Sequence, residues 1–160
     1  MEADGVTTNG LVGGFEHACV CLIGFLLSAY ALKVEIHKTR NSNYTAVCDF
    51  NDRMSCTKAF MSPYGKGFGI IGPLLGEDHF LNFPNSILGL VFYTLQFMIG
   101  QFFYSSISMV YLLFYMSIIS CIGSLYLAYI LYFVLSDCCV VCISTYIVNF
   151  TLCYLNYINL

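Results

Sequence analysis

From His79 to Leu160 the chain carries a single formal charge, Asp137. That stretch restricts the fold more than any motif does. A water-soluble domain devotes about a quarter of its residues to Asp, Glu, Lys and Arg; here the share is 9%, against 59% apolar residues. A chain of 160 residues cannot bury that much apolar side chain inside itself, so it reads as an integral membrane protein. The net charge of −3 and the lack of a clustered basic face give no nucleic-acid signature.

The apolar runs set the layout. Residues 18–34 form the first span, short for a hydrocarbon core of about 30 Å but adequate with snorkelling ends. Residues 86–103, 107–135 and 138–155 form the second, third and fourth, the third long enough to tilt or protrude. The connections at Tyr104–Ser106 and Ser136–Asp137 are very short, which makes neighbouring spans antiparallel. The expected architecture is an all-α membrane protein. It is an antiparallel four-transmembrane-helix bundle in one domain, 1–160, with a loop and cap at 35–85. Met1–Gly10 is polar and acidic and lacks a basic n-region and cleavage site, so no cleaved leader is expected.

Nine cysteines punctuate this frame. Cys19 and Cys21 lie inside the first span and read as core thiols. Cys48 and Cys56 form a pair in the polar loop. Cys139 and Cys142 form a Cys-x-x-Cys at the start of the last apolar run, where the i, i+3 spacing of a helix puts both on one face, α-carbons roughly 5 Å apart. Asp137 or Ser136 is the expected N-cap. Cys139 then falls in the first turn, where the macrodipole and unpaired N–H groups favour a thiolate. The competing reading is two buried, apolar-like cysteines.

The loop turns glycine-rich and aromatic at Tyr64-Gly65-Lys66-Gly67-Phe68-Gly69. It lacks the Gly-Lys-Ser/Thr ending and the parallel-sheet context of a phosphate loop. Apolar residues interleaved with glycine from Phe60 to Leu75 suggest a segment lying at the membrane surface and covering something.

With four spans, the loop and the Ser136–Asp137 junction face the same compartment. Cysteine pairs persist where conditions are oxidising, and Asn43-Tyr44-Thr45 is a glycosylation sequon; both point to the secretory lumen. Lys33, Lys38 and Arg40 after the first span point the other way under the positive-inside rule. The paired cysteines and the sequon carry the assignment, since the basic cluster is small. A second sequon at Asn149 falls mid-span and is expected to be inaccessible.

Two dithiols on one side of an apolar bundle suggest a relay, because thiol–disulfide exchange moves two electrons per step through mixed disulfides. A quinone fits as the apolar redox partner, and polar groups must fix its oxygens. Asn85, at the start of the second span, and Tyr146, one helical turn after Cys142, are the candidates. His37 and His79 lack ligand spacing to the cysteine pairs, so no metal site is read.

The set Cys48-x7-Cys56, Gly65-x-Gly67-Phe68-Gly69, Leu81-Asn82-x-x-Asn85-Ser86 and Cys139-x-x-Cys142-x-x-Thr145-Tyr146 resembles the vitamin K epoxide reductase family. Pro84-Asn85-Ser86 and the run from Gly123 to Leu135 look closer to its reductase-like paralogue branch. The resemblance implies a multi-pass protein of the endoplasmic reticulum membrane that reduces vitamin K epoxide to the quinone and the quinone to the hydroquinone. It implies that Cys142 attacks the substrate, Cys139 resolves the adduct, Cys56 exchanges with Cys139, and Cys48 takes electrons from a lumenal thioredoxin-fold dithiol donor. Asn85 and Tyr146 match the groups that hydrogen-bond the ring oxygens, and Phe60 and Phe92 the aromatics that pack on it. Inhibitors of the 4-hydroxycoumarin type would share the pocket. No cofactor is expected to stay bound, and vitamin K enters as substrate. In the cap this chain reads Pro63-Tyr64-Gly65 where the family pattern has Arg-Trp-Gly. Two rival functions fit the same residues: a quinone-dependent thiol oxidase that supports disulfide formation, and a non-catalytic four-span protein whose cysteines staple its loop.

Overall fold

The computed structural model describes residues 9–76, 79, 82–103 and 106–160, with side chains from Gly14 onward. Most of the acidic N-terminus, Phe80 and Leu81 of the expected cap, and most of the Tyr104–Ser106 connection lie outside the described residues.

Four long helices dominate. They are α1 (Asn9–Arg40), α4 (Asn85–Phe102), α5 (Ile107–Tyr129) and α6 (Val140–Ile158), with four short segments between α1 and α4 that include α2 (Cys56–Met61) and α3 (Ile71–Leu75). α1 packs on α4 and α6, α6 on α5, and α4 closes the ring against α5. Among the described residues the only strand-like pairings are two isolated bridges, Asn51 with Met54 and Lys66 with Pro84.

Three of these helices are long and apolar enough to cross a membrane: Gly14–Arg40 of α1, Ile107–Val134, and Val140–Ile158. Their outward side chains, such as Leu22, Ile119 and Ile147, are exposed and apolar, the pattern a lipid-facing surface needs. α4 has 18 residues, about 27 Å of helix, but Gln96 and Gln101 lower its apolar character. The helix α1 also continues past Val34 to Arg40, through residues that read as loop in the sequence. Glu35 is therefore a helical residue facing the bundle. At the other end of α5, a wide turn at Ile130–Val134 extends the helix before the chain reverses at Ser136, whose φ is +49°.

Two polar clusters inside the bundle are internally paired, as a low-dielectric interior demands. At the end remote from the Cys-x-x-Cys, Gln96 is fully buried. Its Nε2 donates to the Leu113 carbonyl at 3.1 Å and to Ser117 at 3.2 Å, while its Oε1 accepts from Asn156 at 3.1 Å and lies 3.3 Å from His17 Nε2. All four long helices meet there. Nearer the middle, the Tyr93 hydroxyl donates to Asn149 Oδ1 at 2.7 Å, and Asn149 Nδ2 donates to Ser124 at 2.7 Å. These bonds fix helix rotation, which apolar contacts alone specify poorly, and they bury Asn149.

Candidate active site

The loop after α1 is organised by Asp49. Its carboxylate accepts from the Ala46 N–H at 2.9 Å, the Ser55 hydroxyl at 2.9 Å, the Thr57 N–H at 3.0 Å, and the Thr57 hydroxyl. Partial burial works against the charge, but these donors outweigh it and hold the Asp49 pKa down at about 2. The bonds clasp both flanks of the loop cysteines, and Cys48 and Cys56 are joined in a disulfide with α-carbons 5.8 Å apart. Ser55 caps α2 by accepting the Lys58 N–H, which seats Cys56 at the helix start. Cys56 is fully buried and Cys48 sits at the edge of burial, with the Tyr30 hydroxyl 3.6 Å from its sulfur. Asn43 of the first sequon is exposed on the same loop.

The second cysteine pair lies at the start of α6. Contrary to the expected cap, neither Asp137 nor Ser136 starts this helix. Cys139 is itself the N-cap, and its sulfur accepts the Cys142 N–H at 3.3 Å. The reason lies in the backbone: Ser136 adopts a left-handed turn, Asp137 N–H donates to the Leu131 carbonyl, and Cys138 N–H donates to the Arg53 carbonyl. The chain is held off the helix path until Cys139, so the helix begins at Val140 rather than Cys138. The two sulfurs still meet, 2.6 Å apart. Cys139 is fully buried and belongs to one apolar cluster with Cys48, Cys56, Ala31, Val34 and Leu131. Both cysteine pairs thus occupy one end of the bundle.

Beside Cys142 opens a largely apolar cavity of about 350 Å³. Every residue read from sequence as a substrate contact lines it: Asn85, Tyr146, Phe60 and Phe92, with Cys142 in the wall. The cap closes one side. Its backbone is tied to α4 through Asn85, whose Oδ1 accepts the Phe68 N–H at 3.0 Å and whose Nδ2 donates to the Tyr64 carbonyl at 2.7 Å. Gly65 must be glycine, since a Cβ there would overlap the Phe60 carbonyl. Phe68, held at φ +57°, reaches across to Gly123 of α5. Tyr64, where the family pattern has tryptophan, lies against Gly69 and lines the cavity.

The cavity also contains polar groups to which the sequence reading gave no part in the site, notably Glu35, Ser86, Thr145 and Asn149. Glu35 escaped notice because it follows the apolar run at the point where a loop was expected. Thr145 and Asn149 follow Cys142 at helical spacing, a signal present in the sequence but shared with ordinary core positions. Among the described residues no group of three or more His, Cys, Asp or Glu converges on a metal position.

An apolar chamber in a membrane-embedded helical bundle, walled by one of two facing cysteines, defines a thiol-dependent membrane oxidoreductase. The profile of the vitamin K epoxide reductase family matches residues 17–157. The mouse (Mus musculus) protein vitamin K epoxide reductase complex subunit 1 is 44% identical over 146 residues, covering 90% of this chain and 88% of the mouse protein. Its rat (Rattus norvegicus) counterpart is 46% identical over 140 residues, covering 86% and 84%. The chain belongs to the vitamin K epoxide reductase family.

Proposed function

We propose that the protein reduces vitamin K epoxide to the quinone, and the quinone to the hydroquinone, with electrons drawn through two dithiols. One observation carries this reading: the Cys139 and Cys142 sulfurs meet at 2.6 Å beside an apolar cavity of about 350 Å³ that Cys142 itself lines. A flat bicyclic ring suits such a space, and few polar groups are needed to orient it.

In the proposed cycle, Cys142 attacks the ring as a thiolate while Tyr146 and Asn85 stabilise charge developing on the ring oxygens. Phe60 and Phe92 pack on the ring. Cys139 displaces the adduct and leaves a Cys139–Cys142 disulfide. Cys56 reduces that bond by exchange with Cys139, and Cys48 recovers electrons from a lumenal thioredoxin-fold donor. The shared cluster of Cys48, Cys56 and Cys139 supports this order. So does the slightly greater exposure of Cys48, at 9%, than of Cys56, at 0%. Asn85 has a second role here, since its amide already grips the cap. Opening and closing of the cap over substrate is coupled to the same side chain that would meet the ring.

In this reading α4 is a fourth membrane span, the loop faces the lumen of the endoplasmic reticulum, and Asn43 is open to glycosylation there. The cavity would admit 4-hydroxycoumarin inhibitors, and the likeness of Pro84-Asn85-Ser86 and of the run from Gly123 to Leu135 supports membership of the reductase-like paralogue branch. Replacing Cys142 by Ser tests the cycle: both reductions should cease even with excess dithiothreitol. Sustained turnover would refute Cys142 as nucleophile.

A further inference from the structure

The cavity that holds Cys142 also holds a carboxyl group, that of Glu35. The residue is 8% exposed, and its Oε2 accepts a 2.6 Å hydrogen bond from the Ser86 hydroxyl in the first turn of α4. On its far side lies a second, more polar cavity of about 520 Å³, lined by Thr39, Arg40 and Lys66 among others. Glu35, Phe60 and Ser62 line both cavities and so form the partition between them. A buried carboxyl whose hydrogen-bond partner is a neutral hydroxyl is costly to keep in an apolar wall. Such groups concentrate where protons are moved.

The chemistry in this cavity needs protons moved. Each thiol must lose one before its sulfur attacks, and the ring oxygen must gain both before it leaves as water. We infer that Glu35, oriented by Ser86, carries these protons between the thiols and the ring oxygen, and exchanges with the aqueous side through the second cavity. The inference rests on the quinone-reductase reading above. In the first step Cys142 gives its thiol proton to the Glu35 carboxylate. Its sulfur forms a bond to the ring carbon as the epoxide C–O bond breaks, and the freed oxygen takes the proton from Glu35. In the second step Cys139, its own proton passed to Glu35, attacks the Cys142 sulfur. The carbon–sulfur bond breaks and its electron pair returns to the ring. The ring hydroxyl takes the second proton from Glu35 as its C–O bond breaks and leaves as water. Two thiols are oxidised to one disulfide, and the epoxide is reduced to quinone and water.

The titratable and charged groups around Glu35 come from three elements besides its own. α6 contributes Cys142 and Tyr146, α4 contributes Tyr93, the cap contributes Tyr64 and Lys66, and Arg40 lies on α1 itself. The α5 residues lining the cavity include no titratable side chain. Glu35 is thus the carboxyl group shared by the two cavities.

The test uses the full chain in detergent, with dithiothreitol as reductant and menadione epoxide as substrate. Glu35→Gln keeps the size and an oxygen that can accept from Ser86, but it cannot carry a proton. Its kcat should fall about a hundredfold with KM little changed, and the pH profile of kcat should lose one limb. In Glu35→Ala, added formate should restore part of the rate. Wild-type kcat and pH profile in Glu35→Gln overturn the inference. So does a loss of rate that follows loss of menadione binding or of melting temperature without formate rescue, because Glu35 would then only staple α1 to α4. A wild-type chain that reduces no epoxide refutes the parent reading, and this one with it.

Discussion

Asn85 grips the backbone of Phe68: its Oδ1 accepts the Phe68 N–H at 3.0 Å, while its Nδ2 donates to Tyr64 at 2.7 Å. One side chain at the start of α4 therefore sets both ends of the glycine-rich turn over the cavity. Removing it as Asn85→Ala leaves two cap groups unpaired, at about 1–3 kcal/mol for each that stays buried. Naphthoquinone affinity should fall roughly tenfold or more, with a parallel loss of protection from proteolysis in the cap. Unchanged affinity would show that the cap closes without this clasp.

The loop disulfide depends on a different clasp. Asp49 is held at a pKa of about 2 by the Thr57, Ala46 and Ser55 donors. An unfolded Asp titrates near about 3.9. Because the folded value is the lower one, the stabilisation is complete above the unfolded pKa and is lost as pH falls toward about 2. Acidification below about pH 4 should thus loosen the loop and speed reduction of Cys48–Cys56 by a phosphine, a reductant whose reactivity needs no thiolate. In Asp49→Asn that acid sensitivity should vanish, because the amide does not titrate, and reduction should already be faster at neutral pH. Hydrogen exchange at the Ala46 and Thr57 amides reports the same change.

In the proposed relay, Cys48 and Cys142 separate the supply of electrons from their use. Cys48→Ser should spare turnover driven by dithiothreitol, which reaches the inner pair directly. It should block turnover driven by a thioredoxin-fold protein. Assaying one variant with both reductants checks this; loss under both would give Cys48 a role beyond shuttling.

The cysteine pairs, Asn85 and Tyr146 stand out in the sequence as chemistry-bearing residues on an apolar background, whereas Phe60 and Phe92, apolar themselves, are singled out only through the family resemblance. The structure brings the last four around one cavity with Cys142. The start of α6 was misread: Asp137 is a favoured capping residue, but its N–H is taken by Leu131 and the helix waits for Cys139. That pairing is set by the wide turn ending α5 and by the Arg53 contact, which no local pattern reveals. Glu35 was missed because hydropathy marks where apolar character ends, at Val34, and not where a helix ends. The Gln96–Asn156 bond joins positions 60 apart in the chain, and each residue alone looks like an isolated polar interruption of a span.

Cys138 sharpens the final question. It lies beside Cys139, its N–H bonded to Arg53 at 2.9 Å, close to the loop whose Cys56 must choose a partner. If the two sulfur pairs pass electrons inward as proposed, they must at some moment share a bond. Removing Cys48 and Cys142 together, as Cys48→Ser with Cys142→Ser, strands that intermediate. Peptide mass spectrometry of this variant after mild oxidation should recover Cys56 joined to Cys139. Recovery of free Cys56 and Cys139, or of Cys56 joined to Cys138 instead, would contradict the relay.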